Sequence, residues 1–232
     1  MRPENKQQVR DLRLFRSMTD ASFEDLLAGS YFQRFPSHVV LIREGEPADF
    51  LHVVISGTVE LYSAWNGQES TMQIVRPVST FILAAVIRDA PYLMSARTYD
   101  ASDILMIPSG NLRKGMARDP ALSLAMVTEL AGCFREVVKT AKNLKLRSAV
   151  ERLANYLLRL DEINGGTGRF DLPTEKRVLA SYLGMTPENL SRAFNTLGPY
   201  GVEVEGACLR LARKDDLIRL AKPTPLIDDP EY

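Results

Sequence analysis

Cysteine and histidine are scarce in this chain of 232 residues, which has two of each. Cys133 and Cys208 are too few for the disulfide framework of a small secreted protein, and too few for the roughly four thiolates that hold an iron-sulfur cluster. His38 and His52 make a zinc site or a hydrolytic triad hard to assemble, so no enzyme chemistry is expected. No run approaches the roughly 20 apolar residues that span a bilayer, which predicts no membrane partner. The charged opening, residues 1–15, lacks the apolar core of a secretory signal, and a cytoplasmic location is expected. Net charge is absent as well, with 29 Lys and Arg against 29 Asp and Glu. That balance hides an asymmetry. Basic residues modestly outnumber acids over residues 145–222, and an acid-bearing N-terminal half and the acids Asp228, Asp229 and Glu231 offset them. Affinity for phosphate follows the local face, not the total.

The most informative stretch is residues 176–197, which predicts a helix-turn-helix. Val178, Leu179, Ala180 and Leu183 form the apolar stripe of a first helix that stops at Gly184, a residue suited to the left-handed conformation. Met185 buries the turn. Thr186, Pro187 and Glu188 then supply an N-cap hydroxyl, a first-turn proline and a first-turn acid for a second helix. In that helix Leu190, Ala193, Phe194 and Leu197 can pack inward, leaving Glu188, Asn189, Ser191, Arg192 and Asn195 outside. An arginine can pair bidentately with guanine and a glutamate can accept from cytosine, so this polar face suits the major groove of double-stranded DNA. Residues 201–212 alternate around Gly206 like a wing hairpin. Lys176, Arg177, Thr186, Asn189 and Arg210 are candidates for contacts to the DNA backbone.

Residues 183–192 resemble the recognition element of the CRP/FNR superfamily of bacterial transcription regulators, and Glu188, Ser191 and Arg192 match its FNR-like variant. The CRP branch usually has arginine where Pro187 stands. The resemblance implies that Glu188, Ser191 and Arg192 read a TTGAT-like half-site of a palindrome, in a homodimer that would engage RNA polymerase if it is an activator.

Upstream, short apolar alternations at 39–42, 51–55, 58–62, 72–75, 96–99 and 104–107 predict a small antiparallel barrel or roll. Gly45 and Gly57 fall where tight turns need positive φ. The stretch resembles the β-roll sensor domain of cyclic-nucleotide-binding proteins. The departures are informative. In that family a glutamate holds the ribose and an arginine holds the cyclic phosphate, but here Leu83 and Met94 stand at those places. A buried phosphate without a guanidinium partner is strongly disfavoured, so no cyclic nucleotide is expected. Phe81, Ile82, Leu83, Tyr92, Leu93, Met94 and Ser95 are the candidate effector pocket, with Val86, Ile87 and Trp65 nearby. Its apolar lining suits a hydrophobic ligand or a filled core. The combination resembles the nitric-oxide-responsive regulators of denitrification, which implies haem, for which His38 and His52 are candidate iron ligands, with Met94 and Cys133 behind them. A metabolite-sensing or effector-independent regulator without haem is the alternative.

Between the two halves, Asp119 and Pro120 open a long helix. Leu122, Met126, Leu130, Cys133, Val137, Thr140 and Leu144 recur at alternating steps of three and four, the seam of a coiled coil across a two-fold axis. The expected class is therefore α+β: an antiparallel β-roll over residues 1–118, a dimerisation helix and hinge over 119–145, a winged helix-turn-helix over 146–222 and a tail over 223–232.

Overall fold

The computed structural model describes residues 2–206 and 208–229. Ala207, in the expected wing, and residues 230–232, in the expected tail, lie outside the described residues. The chain divides into two compact units, Met1–Cys133 and Phe134–Tyr232.

In the first unit, α1 (Pro3–Arg10) and α2 (Asp20–Leu27) precede β1 (Tyr31–Phe35), β2 (Val40–Ile42), β3 (Phe50–Ser56), β4 (Val59–Trp65), β5 (Gln68–Val75) and β6 (Ser79–Phe81). Then come α3 (Leu83–Arg88), β7 (Ser95–Thr98), β8 (Ser102–Pro108), α4 (Ser109–Arg118) and the long α5 (Pro120–Leu146). The strands form two antiparallel four-stranded sheets, ordered β1-β8-β3-β6 and β2-β7-β4-β5. Val59 and Leu61 of β4, with Val53, Ile104 and Ile107, turn into one core. Asn66 and Gly67 both take positive φ, as the two-residue hairpin between β4 and β5 requires. Gly57 is needed for another reason: a Cβ there would lie 2.6 Å from the Ala101 carbonyl oxygen.

Helix α5 corrects the expected seam. Leu122 and Met126 are fully buried in the first core and Leu130 packs beside them, because positions four apart form a single row and this row faces the core of its own unit. The exposed apolar side chains lie on adjoining rows: Leu124, Val127, Phe134 at 68% and Val137 at 66%. Cys133 and Thr140 are also exposed. The helix continues through Leu146, so the break falls at Arg147 and Ser148, just beyond the expected hinge.

In the second unit, α6 (Ala149–Ile163) begins at a capping box in which Ser148 and Glu151 satisfy each other's backbone N–H groups. After it come β9 (Arg169–Asp171), α7 (Lys176–Tyr182), α8 (Pro187–Leu197), β10 (Val202–Glu205), β11 (Cys208–Leu211), α9 (Lys214–Ala221) and α10 (Pro225–Asp228). The three strands form an antiparallel sheet ordered β10-β11-β9. Leu153, Leu157, Leu179, Leu190, Leu197, Leu209 and Leu217 make the core.

The expected tail is a second correction. Residues 225–228 form α10, whose Asp228 carboxylate accepts two hydrogen bonds of 2.6 Å from Arg147, and Lys139 and Lys142 donate to the carbonyls of Asp229 and Leu226. Prolines and acids read as a solvated end because their partners lie more than 80 residues earlier.

Candidate nucleic-acid interface

The turn between α7 and α8 is set by glycine. Gly184 sits at φ +64, its N–H donates to Ser181 and the Met185 N–H donates to Ala180, which closes α7 in a Schellman motif. Met185 packs against the core. The Thr186 hydroxyl then accepts from the Asn189 N–H at 3.2 Å, and Pro187 occupies the first turn of α8. With start and axis fixed, Leu190, Ala193, Phe194 and Leu197 are buried, whereas Glu188, Asn189, Ser191, Arg192 and Asn195 are exposed.

That exposed face has a defined polarity. The Glu188 carboxyl is held below the usual carboxylate range by its own backbone N–H, by the Thr186 hydroxyl and by Arg192 one turn on. It is therefore an acceptor at neutral pH, beside the donor fork of Arg192. The Ser191 hydroxyl donates to the Pro187 carbonyl at 3.1 Å and presents its lone pairs outward. Around this face, Lys176 and Arg177 are exposed at the start of α7, the Lys176 ammonium lying 5.6 Å from the Phe194 ring centroid. Arg210 reaches Glu203 across the wing at 3.3 Å, so its charge is partly spoken for.

One functional residue escaped the sequence reading. Arg152 is buried and donates to the carbonyls of Leu183 at 2.8 Å, Gly184 at 3.2 Å and Arg147 at 2.7 Å. It thus caps the end of α7 and ties it to the break before α6. The available signal was its place on the buried stripe of α6, one position before Leu153.

The first unit holds the other candidate site. Phe81, Leu83 and Tyr92 are part of the core, and Ile82 and Met94 pack against it. Ser95 accepts the Glu44 N–H. Leu93 is corrected: it is 81% exposed, as is Trp65, because one follows the turn after α3 and the other ends β4 at the hairpin tip. Ile82 takes φ +62, uncommon for a β-branched residue, and starts α3, which carries no acid in its first turn. Arg97 on β7 is committed to Glu60 and Glu69 and lies over the Tyr62 ring. Leu83 and Met94 carry no charge, so neither can pair with a phosphate or accept from a ribose hydroxyl.

His52 is 3% exposed, stacks on Phe81 with ring centroids 5.1 Å apart, and its Nδ1 is buried without a partner. Burial lowers its pKa to about 4, against a smaller opposing effect from the Phe50 backbone. The folded protein therefore holds His52 neutral where the unfolded chain, with a pKa near 6.5, takes up a proton. The associated stability is present above about pH 6.5 and is lost as pH falls toward 4, by roughly 3 kcal/mol in all. Urea unfolding across that range is expected to show a shallower pH dependence in His52→Gln than in the parent; identical slopes would contradict this.

Comparison with known proteins follows the same division. Residues 32–119 match the cyclic nucleotide-binding domain family and residues 151–220 match the Crp-like helix-turn-helix domain family. A CRP-like cAMP-activated global transcriptional regulator of Mycobacterium tuberculosis is 25% identical over 194 residues, covering 81% of this chain and 87% of the relative. Two solved structures share the fold. FixK2 from Bradyrhizobium japonicum has a TM-score of 0.72 at 23% identity, covering 84% of this chain and 98% of that one. DNR from Pseudomonas aeruginosa has a TM-score of 0.52 at 24% identity, covering 94% and 97%. Among the described residues no group of three or more His, Cys, Asp or Glu could hold a metal ion, and no helix is long and apolar enough to cross a membrane. An antiparallel β-sheet domain followed in sequence by a long helix and a helix-turn-helix domain, each end matched by its own family, makes this chain a member of the CRP/FNR superfamily of transcription regulators.

Proposed function

We propose that the protein is a homodimer that reads a palindrome of TTGAT-like half-sites and is switched by an effector other than a cyclic nucleotide. One observation carries the reading: α8 is capped, proline-started and buried along one side, with Glu188, Ser191 and Arg192 together on the other. Arg192 would pair with a guanine, Glu188 would accept from a cytosine amino group, and Ser191 would serve as the small partner between them. Lys176, Arg177, Thr186, Asn189 and Arg210 would hold phosphates and fix the register.

The exposed apolar rows of α5, including Phe134 and Val137, support self-association, since a single helix seldom leaves such side chains in water without a partner. Two copies of α8 then meet successive major grooves about 34 Å apart. RNA polymerase would be the further partner of an activator. Residues 1–118 would act as sensor, α5 as dimerisation helix, the break at Arg147 and Ser148 as hinge, and the segment from α6 to residue 222 as reader. The effector pocket would draw on Phe81, Ile82, Leu83, Tyr92, Met94 and Ser95, and the missing charge pair is what turns it away from cyclic nucleotides. Haem has one observation in its favour, the unpartnered Nδ1 of His52, and one against it, the stacking of that ring on Phe81.

Lys176→Gln is expected to weaken binding to all duplexes evenly and to lower the salt slope by roughly two, one for each copy. Titrations at several salt concentrations check this, and a loss confined to one base position would reassign Lys176 to readout. The reading as a whole is tested by mobility shift of a palindromic TTGAT-like duplex against a shuffled duplex of equal length. Selective retardation supports it and equal retardation overturns it. A Soret band after haem addition, moving with nitric oxide, would establish the haem arm; no band would leave a metabolite sensor or an effector-independent regulator.

A further inference from the structure

The path from α5 to the recognition helix crosses a short joint. Helix α5 ends at Leu146 and α6 starts at Ala149, with Ser148 in extended conformation between them. Such a joint can swing unless something holds it. A swing matters because α6, with 15 residues, is about 22 Å long, so a rotation of only ~10° displaces its far end by nearly 4 Å. One base pair advances the duplex axis by about 3.4 Å.

The holding contacts come from the C-terminal strap, residues 224–229. Asp228 takes two hydrogen bonds of 2.6 Å from the Arg147 guanidinium, which also donates to Asn143 on the last turns of α5. The Arg147 side chain is only 8% exposed. The strap is shaped for this contact, since the Thr224 N–H donates to Asp228 at 2.7 Å. Lys139 and Lys142 anchor it further back along α5 through the carbonyls of Asp229 and Leu226. On the other side of the joint, the Arg147 carbonyl accepts from Arg152, which also holds the carbonyls of Leu183 and Gly184. A Cβ at Gly184 would come within 2.6 Å of Leu144, so the helix-turn-helix bend presses on the end of α5. An unbroken series of contacts thus joins α5, the strap, the joint and the turn before α8.

We propose that the strap, through Asp228 on Arg147, locks the joint and so sets the half-site spacing that the dimer accepts. Asp228 is then a positioning residue, remote from the base-reading face. The inference rests on the dimeric, palindrome-reading function proposed above and adds a determinant of spacing to it.

Full-length protein carrying Asp228→Ala, Arg147→Ala or both tests the lock with palindromes at the preferred spacing and one base pair longer. The parent is expected to penalise the longer site about tenfold, each single variant about twofold, and the double variant about twofold as well, as for two residues acting as a unit. Discrimination against a mutated half-site should stay at the parental level, which general loosening would not allow. Amide hydrogen exchange over residues 143–148 should accelerate in Asp228→Ala. An unchanged spacing penalty, or spacing and sequence discrimination falling in equal proportion, overturns the proposal. If the parent itself does not prefer a palindrome to a shuffled duplex, the DNA-reading function fails instead. The lock is then judged by hydrogen exchange alone: faster exchange in Asp228→Ala supports it and unchanged exchange overturns it.

Discussion

Arg192→Ala is expected to weaken binding of the full-length protein to its palindrome by about 2–6 kcal/mol, because a bidentate base contact is worth about 1–3 kcal/mol and symmetry removes it twice. The loss should be specific. Arg192 is exposed, outside the core made by Leu190, Ala193, Phe194 and Leu197, so the variant should fold and melt like the parent. Once the guanidinium is gone, the four base pairs at one symmetric position should bind with nearly equal affinity. A panel of duplexes varied at each half-site position checks this by fluorescence anisotropy. If every duplex weakens by the same factor, Arg192 holds phosphate. Glu188→Ala is the natural companion, with relaxation expected at a different position.

Glu60→Ala should produce a large loss of stability in the first unit, about 3–5 kcal/mol, the usual consequence of breaking a buried pair from one side. Glu60 is 3% exposed and lies opposite Arg97 in the β4–β7 register. Its carboxylate accepts from the Arg97 Nε at 2.7 Å and from the Thr71 hydroxyl at 2.6 Å. Burial by itself would push the Arg97 guanidinium down, but its hydrogen bonds to Glu60 and Glu69 more than offset that and hold it up. Without Glu60 this cation keeps the half-exposed Glu69 as its partner among the described residues. Replacing both Glu60 and Arg97 by apolar residues of similar volume should be much less harmful than the single change, since no uncompensated charge is left in the sheet. Equilibrium urea unfolding measures both, and a single variant as stable as the parent would show that the cluster is better solvated than its geometry implies.

Helix α8 was legible in the sequence because its determinants are local. Gly184, Thr186 and Pro187 act within one turn of where they stand, and the stripe of α8 follows from the helical period alone. The roll was legible for the same reason, as each short apolar segment between turn residues shows by itself. What escaped depends on distant partners. The row containing Met126 reads equally well as a dimer seam or as a core face, and only the packed core of the first unit decides between them. Leu93 is as apolar as its neighbours, but it follows a turn that leaves it outside. The strap looked like a solvated tail since Arg147 lies 81 residues before Asp228. Arg152 was one basic residue among many until the carbonyls of Leu183 and Gly184 were seen around it.

Selection of duplexes from a random library by the full-length protein tests most directly whether α8 reads DNA from two symmetric copies. The expected result is enrichment of an inverted repeat with TTGAT-like half-sites centred about one helical turn apart, and loss of one symmetric base position when Arg192→Ala is used. Recovery of an unrepeated motif, or of no motif at all, would contradict it.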